Sequence, residues 1–330
     1  MSDVGNIQWF PGHMTKTRRL IEADLKMVDA VVEVIDARIP ESSRNPIMDE
    51  LVGSKPRIII MNKCDVADER ATAAWRRFYE KRGMCVVVCD CRSGKGINRF
   101  LPEVKKLLAE LIERRKARGM IGKALRLMVV GIPNVGKSSF INRMSNSRKT
   151  KVGDRPGVTR GKQWVAIDKD VELLDMPGIL WPKFDDKDVA QKLSFTGAIK
   201  DEVVDTAALA GALGERLMRD YPELLKARYK ISGEAEAASK AEAAPKAEAA
   251  PKAEAASKAE AAPKAEAASK TEAVTGSDIL EEIARARGML ISGGEPDIER
   301  AAATLLDEFR GGKIGRITLD NMPTMEMDDE

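Results

Sequence analysis

Three short stretches carry residue types whose order and spacing suit phosphate chemistry. "GIPNVGKS", residues 131–138, has the form G-x-x-x-x-G-K-S and sits between an apolar run and a helical pattern. Gly131 and Gly136 permit a tight turn, and the loop from Asn134 and Val135 to Ser139 can aim backbone N–H groups at phosphates. Lys137 can reach the β- and γ-phosphates, and Ser138 can hold Mg²⁺. "DMPG" begins 44 residues after Gly131. Its Asp175 suits Mg²⁺ through water, and the Gly178 N–H suits a γ-phosphate. Such tetrads also make plain turns, so the weight comes from the pairing with the phosphate loop. Between the two lies "RPGVTRGKQW", residues 155–164. Thr159 there is the candidate to coordinate Mg²⁺ only while a γ-phosphate is present, which would order the segment with triphosphate and relax it after hydrolysis.

"NKCD", residues 62–65, names the base. The Asp65 carboxylate can accept from guanine N1–H and the 2-amino group. Adenine offers neither donor there, and the carboxylate would stay unpaired. Asn62 can steady guanine and tie this loop to the phosphate loop, while the Lys63 stem can cover the base plane. "DCRSGKG", residues 90–96, follows the next predicted strand. A backbone N–H near Asp90 and Cys91 could meet the guanine carbonyl. The guanine reader therefore precedes the phosphate loop, the reverse of the usual order in GTPases. GTP and GDP are the expected ligands, with Mg²⁺.

Ile179 follows Gly178, and an aliphatic side chain cannot orient an attacking water. His13, the single histidine, stands in "FPGHM". It is either structural or the residue that supports hydrolysis, and Pro11 and Gly12 suit a loop that orders only on a partner. Asn134 is either a turn former after Pro133 or a ligand that seats K⁺ beside the phosphates. Cys85, Cys89 and Cys91 have no histidine nearby, and two of them belong to a valine-rich strand, so zinc is not expected.

The elements that must position these residues follow from the apolar runs. "AVVEVID" (30–36), "RIIIMN" (57–62), "MCVVVC" (84–89) and "ALRLMVVG" (124–131) read as buried strands, and 162–168 with 170–175 as a strand pair. Helical patterns lie near 69–82, 98–118, from Lys137 onward, and across 188–230. The alternation predicts an α/β fold: a mostly parallel sheet covered by helices on both faces. "KAEAAP/KAEAAS" then repeats every six residues from Lys240 to Lys270, with proline at 245, 251 and 263 and no large apolar side chain to bury. Residues 233–276 read as a solvated spacer. "SDILEEIARARG" (277–288) offers a Ser cap and a Gly stop, and 295–312 carries one apolar helical face. A small all-helical unit, 201–232 and 277–320, is thus split by the repeat, and 321–330 forms an acidic tail.

The net charge of +3 is uneven. Leaving out the repeat and the segment from Asp320 onward, 49 basic residues face 39 acidic ones. That balance suits a polyanion such as RNA as well as ordinary solubility. No run of about 18 apolar residues is present, so no membrane contact is expected. The start lacks the pattern of a secretory signal, and the four cysteines show no disulfide framework, so a reducing cytoplasm is expected.

"QWFPGHMTK" (8–16), "DARIPESSRNP" (36–46), "NKCD", "GIPNVGKSSFIN" (131–142), "RPGVTRGKQW", "DMPGILWP" (175–182) and "FRGGKIGRITLD" (309–320) together resemble the circularly permuted GTPases of the YlqF/RbgA type. The resemblance covers most of the chain apart from the repeat and the tail. It implies a permuted P-loop GTPase domain over 1–200 and an RNA-contacting helical unit. It also implies a role in maturing the large ribosomal subunit, with that subunit's precursor and rRNA as partners and a monomer when free. It raises the claim of His13 on hydrolysis and of Asn134 on K⁺. Two other functions stay open: an RNA-binding placement factor with GTP as a structural ligand, and a GTPase of tRNA modification. The permutation makes the segment from Thr159 to Gly178 run directly into the helical unit, so a γ-phosphate signal is expected to reach its grip on RNA.

Overall fold

The computed structural model describes residues 12–120, 122–146, 163–178, 186–199, 205–231 and 274–323. Among them the apolar runs form one sheet of six strands: β1 (Ala30–Asp36), β2 (Arg57–Asn62), β3 (Cys85–Val88), β4 (Leu125–Val130), β5 (Gln163–Asp168) and β6 (Val171–Asp175). The spatial order is β3-β2-β1-β4-β6-β5. All neighbours pair parallel except β5, which returns antiparallel on β6 as a hairpin. β1 is buried along its whole length, as a central strand covered on both faces must be.

The helices are α1 (Gly12–Leu25), α2 (Ile47–Val52), α3 (Glu69–Lys81), α4 (Phe100–Leu107), α5 (Ala109–Ala117) and α6 (Lys137–Asn146). They are followed by α7 (Lys187–Phe195), α8 (Thr206–Asp220), α9 (Pro222–Tyr229), α10 (Gly276–Ala286) and α11 (Ile298–Arg310). Alternation along β2 separates the two faces. Ile59 and Met61 pack with Trp75 and Tyr79 of α3, whereas Ile58 and Ile60 pack with Phe100 of α4 and Phe140 of α6. That second core continues without a break into Leu213, Ile279, Leu305 and Phe309 of the helical unit. The helical unit therefore shares its apolar burial with the sheet.

Several boundaries differ from the sequence reading. The expected long helix over 98–118 breaks at Leu108 (φ −101°, ψ 16°) into α4 and α5. The cap of α10 is Thr275, not Ser277. The Thr275 hydroxyl accepts the Asp278 N–H, and Asp278 accepts the Thr275 N–H, a reciprocal capping box. Residues 274–276 therefore belong with the helix and not with the spacer. Gly276 also packs on Gly211 of α8, where an added Cβ would lie 2.6 Å from backbone. Gly12 is already helical where a loop was expected. The repeat from Lys240 to Lys270 and the end of the acidic tail lie outside the described residues.

Asp320, the last residue of the expected helical unit, was set aside with the acidic end in the charge balance, yet it is held within the fold. It is buried, accepts N–H groups of Glu41 (2.8 Å) and Ser42 (2.9 Å), and pairs with Lys192 Nζ at 2.9 Å. It anchors the chain's last described segment to the turn after β1.

Candidate functional site

Parallel strands place their carboxyl ends along one sheet edge, where the following loops can meet a ligand. Asp36 ends β1, Asn62 ends β2, Gly131 follows β4 and Asp175 ends β6. A cavity of about 620 Å³ opens at this edge, a volume in the range of small-molecule sites. It is lined by the predicted residues Asn62, Lys63, Asp65, Asp90, Cys91, Asn134, Gly136 and Ser139. The reversed chain order thus brings the two loops to one cavity, because strand position and not sequence order decides who meets.

Asn62 is the hub. Its Nδ2 donates to the Val135 carbonyl at 2.7 Å, and its Oδ1 accepts the Cys91 N–H at 3.0 Å. It therefore joins the loops after β2, β3 and β4. Gly136, at φ 98°, allows this approach, since a Cβ there would lie 2.2 Å from Asn62 Nδ2. Lys63 (φ 62°) and Asn134 (φ 60°) also hold left-handed backbone, an uncommon conformation for side-chain-bearing residues that clusters at functional sites.

Lys63 Nζ pairs with the buried Asp36 carboxylate at 2.9 Å. Burial pushes the Lys63 ammonium down from its ordinary value, and Asp36 opposes that. Burial pushes Asp36 up, but Arg38 and Lys63 outweigh it and hold the carboxyl far below the usual range. The ammonium is thus tied to Asp36 while Lys63 lines the cavity, and its aliphatic stem is suited to cover a base plane. Asp65, by contrast, is exposed at the cavity wall.

The loop after β3 departs from the expectation of a backbone donor for guanine. The Asp90 carboxylate accepts the N–H groups of Arg92 (2.7 Å) and Ser93 (2.9 Å), the Asp90 N–H donates to Lys95, and the Cys91 N–H goes to Asn62. Burial pushes Asp90 up, yet these bonds from Ser93 and Arg92 hold it below its ordinary value. An aspartate at this position builds its own turn and engages the amides.

On the phosphate side, Lys137 is buried, and its Nζ donates to the carbonyls of Gly131 (2.9 Å) and Ile132 (2.7 Å). Burial pushes it down to about 8, against the pull of the buried Asp175. Gly178, on the loop after β6, packs against the phosphate loop: an added Cβ would come 2.9 Å from Lys137 Nζ and 3.0 Å from Pro133. Ser138 is half-buried in the first turn of α6. Hydroxyl and carboxylate oxygens of the kind Ser138 and Asp175 carry suit a hard cation such as Mg²⁺. The Asn134 amide engages the Gly197 carbonyl through Nδ2. Thr159 and Ile179 lie outside the described residues, as does the side chain of His13.

Sequence reasoning passed over five contributors to the cavity wall: Val66, Asn142, Arg143, Arg310 and Gly311. Arg143 of α6 donates through Nε to the Cys91 carbonyl at 3.2 Å. Arg310 and Gly311 come from the end of α11, in the helical unit, and Arg310 also donates to the carbonyls of Ser194 (2.9 Å) and Phe195 (3.0 Å). The signal was in "FRGGKIGRITLD", whose two arginines and three glycines were treated only as part of a resemblance. Among the described residues no cluster of His, Cys, Asp or Glu could hold a metal by itself, and no helix is long and apolar enough to cross a membrane.

Comparison with known proteins converges on this geometry. A model of the 50S ribosome-binding GTPase family matches residues 126–227. The ribosome biogenesis GTPase A of Priestia megaterium is 40% identical over 316 residues, 96% of each chain. That of Bacillus licheniformis is 39% identical over 320 residues, 97% of this chain and 99% of the relative. The crystal structure of GNP-bound YlqF from T. maritima matches with a TM-score of 0.57 at 26% identity, covering 94% of this chain and 100% of that one.

Proposed function

We propose a site-level mechanism from one premise: the chain belongs to the ribosome biogenesis GTPase A family, the circularly permuted GTPases that include YlqF. It is a GTPase that binds GTP and GDP and acts in ribosomal subunit maturation, in association with ribosomal particles. The alternatives of a placement factor with an inert nucleotide, or of a tRNA-modification GTPase, draw no support from these relatives.

The observation that carries the mechanism is the Asn62 junction, which holds the guanine reader and the phosphate loop around one cavity. Asp65 reads guanine, with Lys63 under the base plane and Asp90 and Cys91 shaping the wall. Val135, Gly136, Ser138 and Ser139 present the loop to the phosphates, and Lys137 neutralises them. Ser138, Asp175 and Thr159 would hold Mg²⁺, which when bound would supply positive charge against the phosphates. The amide oxygen of Asn134 is the atom that would hold K⁺. Gly178 fits against the phosphate loop because no side chain intervenes, and its N–H is the γ-phosphate donor. With Ile179 unable to orient water, His13 supports hydrolysis on the ribosomal partner.

That partner is the precursor of the large subunit and its rRNA, met by the helical unit (201–232 and 277–320), with the protein a cytoplasmic monomer when free. GTP hydrolysis with and without large-subunit particles is the deciding experiment. Stimulation is expected with the wild type and lost in His13→Ala, with GTP affinity kept. Equal stimulation of His13→Ala would reject the role of His13, and no stimulation of the wild type would reject the partner.

A further inference from the structure

The loop that carries Asp65 is held by a segment 250 residues further along the chain. Arg316 donates through Nη2 to the Cys64 carbonyl at 2.7 Å and through Nε to the Ala67 carbonyl at 2.9 Å. These two carbonyls bracket Asp65 and Val66. The Ile317 N–H donates to the Val66 carbonyl at 3.0 Å, and the Asp68 N–H donates to Thr318 Oγ1 at 3.2 Å. Gly312 lies so close to Val66 that a Cβ would come within 2.2 Å of its Cγ1. The preceding residues, Arg310 and Gly311, line the same cavity as Asp65.

An exposed carboxylate on a loop discriminates between bases only if the loop holds it still. The entropy of ordering it is otherwise lost from binding, and an ill-placed acceptor tolerates the wrong base. Four residues of the guanine loop, Cys64, Val66, Ala67 and Asp68, have their carbonyls or amides fixed by Arg316, Ile317 and Thr318. A guanidinium is suited to the task, because its fixed fork spans two acceptors at once.

We infer that Arg316 is a positioning residue for guanine recognition, and that the segment from Arg310 to Thr318 is a wall of the base subsite supplied by the helical unit. The inference rests on the reading of Asp65 as the guanine acceptor. It follows that a partner shifting the helical unit changes guanine affinity directly, by a route separate from the γ-phosphate.

The test compares GDP with inosine diphosphate, which lacks only the 2-amino donor to Asp65, by titration calorimetry on the full chain. The wild type should favour GDP by about a hundredfold. Arg316→Ala should weaken GDP about tenfold and inosine diphosphate by less than twofold, so that discrimination falls. Arg316→Lys, with a single cation for two carbonyls, should fall between. Loss of packing alone would weaken both ligands equally. Thr318→Val keeps the side-chain shape, serves if Arg316→Ala fails to fold, and should shift the ratio the same way by less. An unchanged ratio in a folded Arg316→Ala, or in Thr318→Val should the first not fold, overturns the inference while leaving Asp65 its role. A wild type that does not discriminate overturns the reading of Asp65 itself, and this inference with it.

Discussion

Nucleotide binding should take up a proton at Lys137. In the protein alone, burial lowers this ammonium to about 8 from an ordinary 10.5. The unfolded chain then binds more protons between those values, so the free protein gains stability as pH rises through that window. At neutral pH the buried charge costs about 3 kcal/mol relative to a solvated lysine. A triphosphate beside the ammonium removes that cost and keeps the proton on. At pH 8, where half the free molecules carry it, binding should take up about 0.5 proton, and at pH 7 about 0.1. Affinity should therefore fall as pH rises above 8, towards tenfold per pH unit. The phosphates have completed their last ionisation, near 6, well below this range. Calorimetric titration of GDP at pH 8 in two buffers of different ionisation enthalpy reads the uptake directly. Lys137→Arg supplies the control, since a guanidinium does not titrate there, and its uptake should vanish. Identical apparent enthalpies for the wild type in both buffers would refute the assignment of Lys137 as a buried ammonium relieved by phosphate.

Three further perturbations follow from the same geometry. Gly178→Ala places a methyl 2.9 Å from Lys137 Nζ; GTP turnover should drop at least a hundredfold, with the melting temperature nearly unchanged, as single-turnover kinetics and thermal unfolding can check. Asp65→Asn should weaken GDP about a hundredfold and improve xanthosine diphosphate, whose 2-carbonyl accepts from the new amide; competition binding decides, and a variant that keeps its preference for guanine rejects Asp65 as the reader. Asp320→Ala leaves the buried Lys192 with Asp188 as its remaining carboxylate partner. It should cost about 2–4 kcal/mol in urea unfolding, and a loss below 0.5 kcal/mol would mean that the anchor is not structural.

The strands and the two loops were legible because each depends on local pattern. A β-branched run bounded by turn residues forms a strand wherever it sits, and a phosphate loop needs only a strand before it and a helix after it. What stayed hidden depends on residues far apart in the chain. Asp36 and Arg38 form a buried ion pair at 2.7 Å, with Arg38 also donating to the Phe309 and Arg310 carbonyls at 3.4 Å. Asp320 closes the helical unit in sequence, and nothing local shows that its oxygens cap a turn near residue 41. The engagement of the Asp90 and Cys91 N–H groups with Lys95 and Asn62 stayed hidden for another reason. An aspartate just after a strand competes for its own backbone amides, and a match to a related loop type does not reveal that competition.

The permutation gains a second meaning from these long-range contacts. The permuted order carries the γ-phosphate side, ending at Gly178, forward into α7 and the helical unit. The same unit then returns past the end of α11 to the guanine loop, through Arg310, Gly311 and Arg316. Arg38 reinforces that second route, gripping Asp36 on one side and the last carbonyls of α11 on the other, while Asp36 holds Lys63. A domain tethered only by a linker after the γ-phosphate side could respond to hydrolysis alone. One clamped to the base reader as well must respond to nucleotide presence and to nucleotide state. Its grip on a ribosomal particle should accordingly take three values, for the empty, GDP and GTP forms, and not two. Co-sedimentation in each state measures them, and identical retention of the empty and GDP forms would leave the clamp a structural contact only.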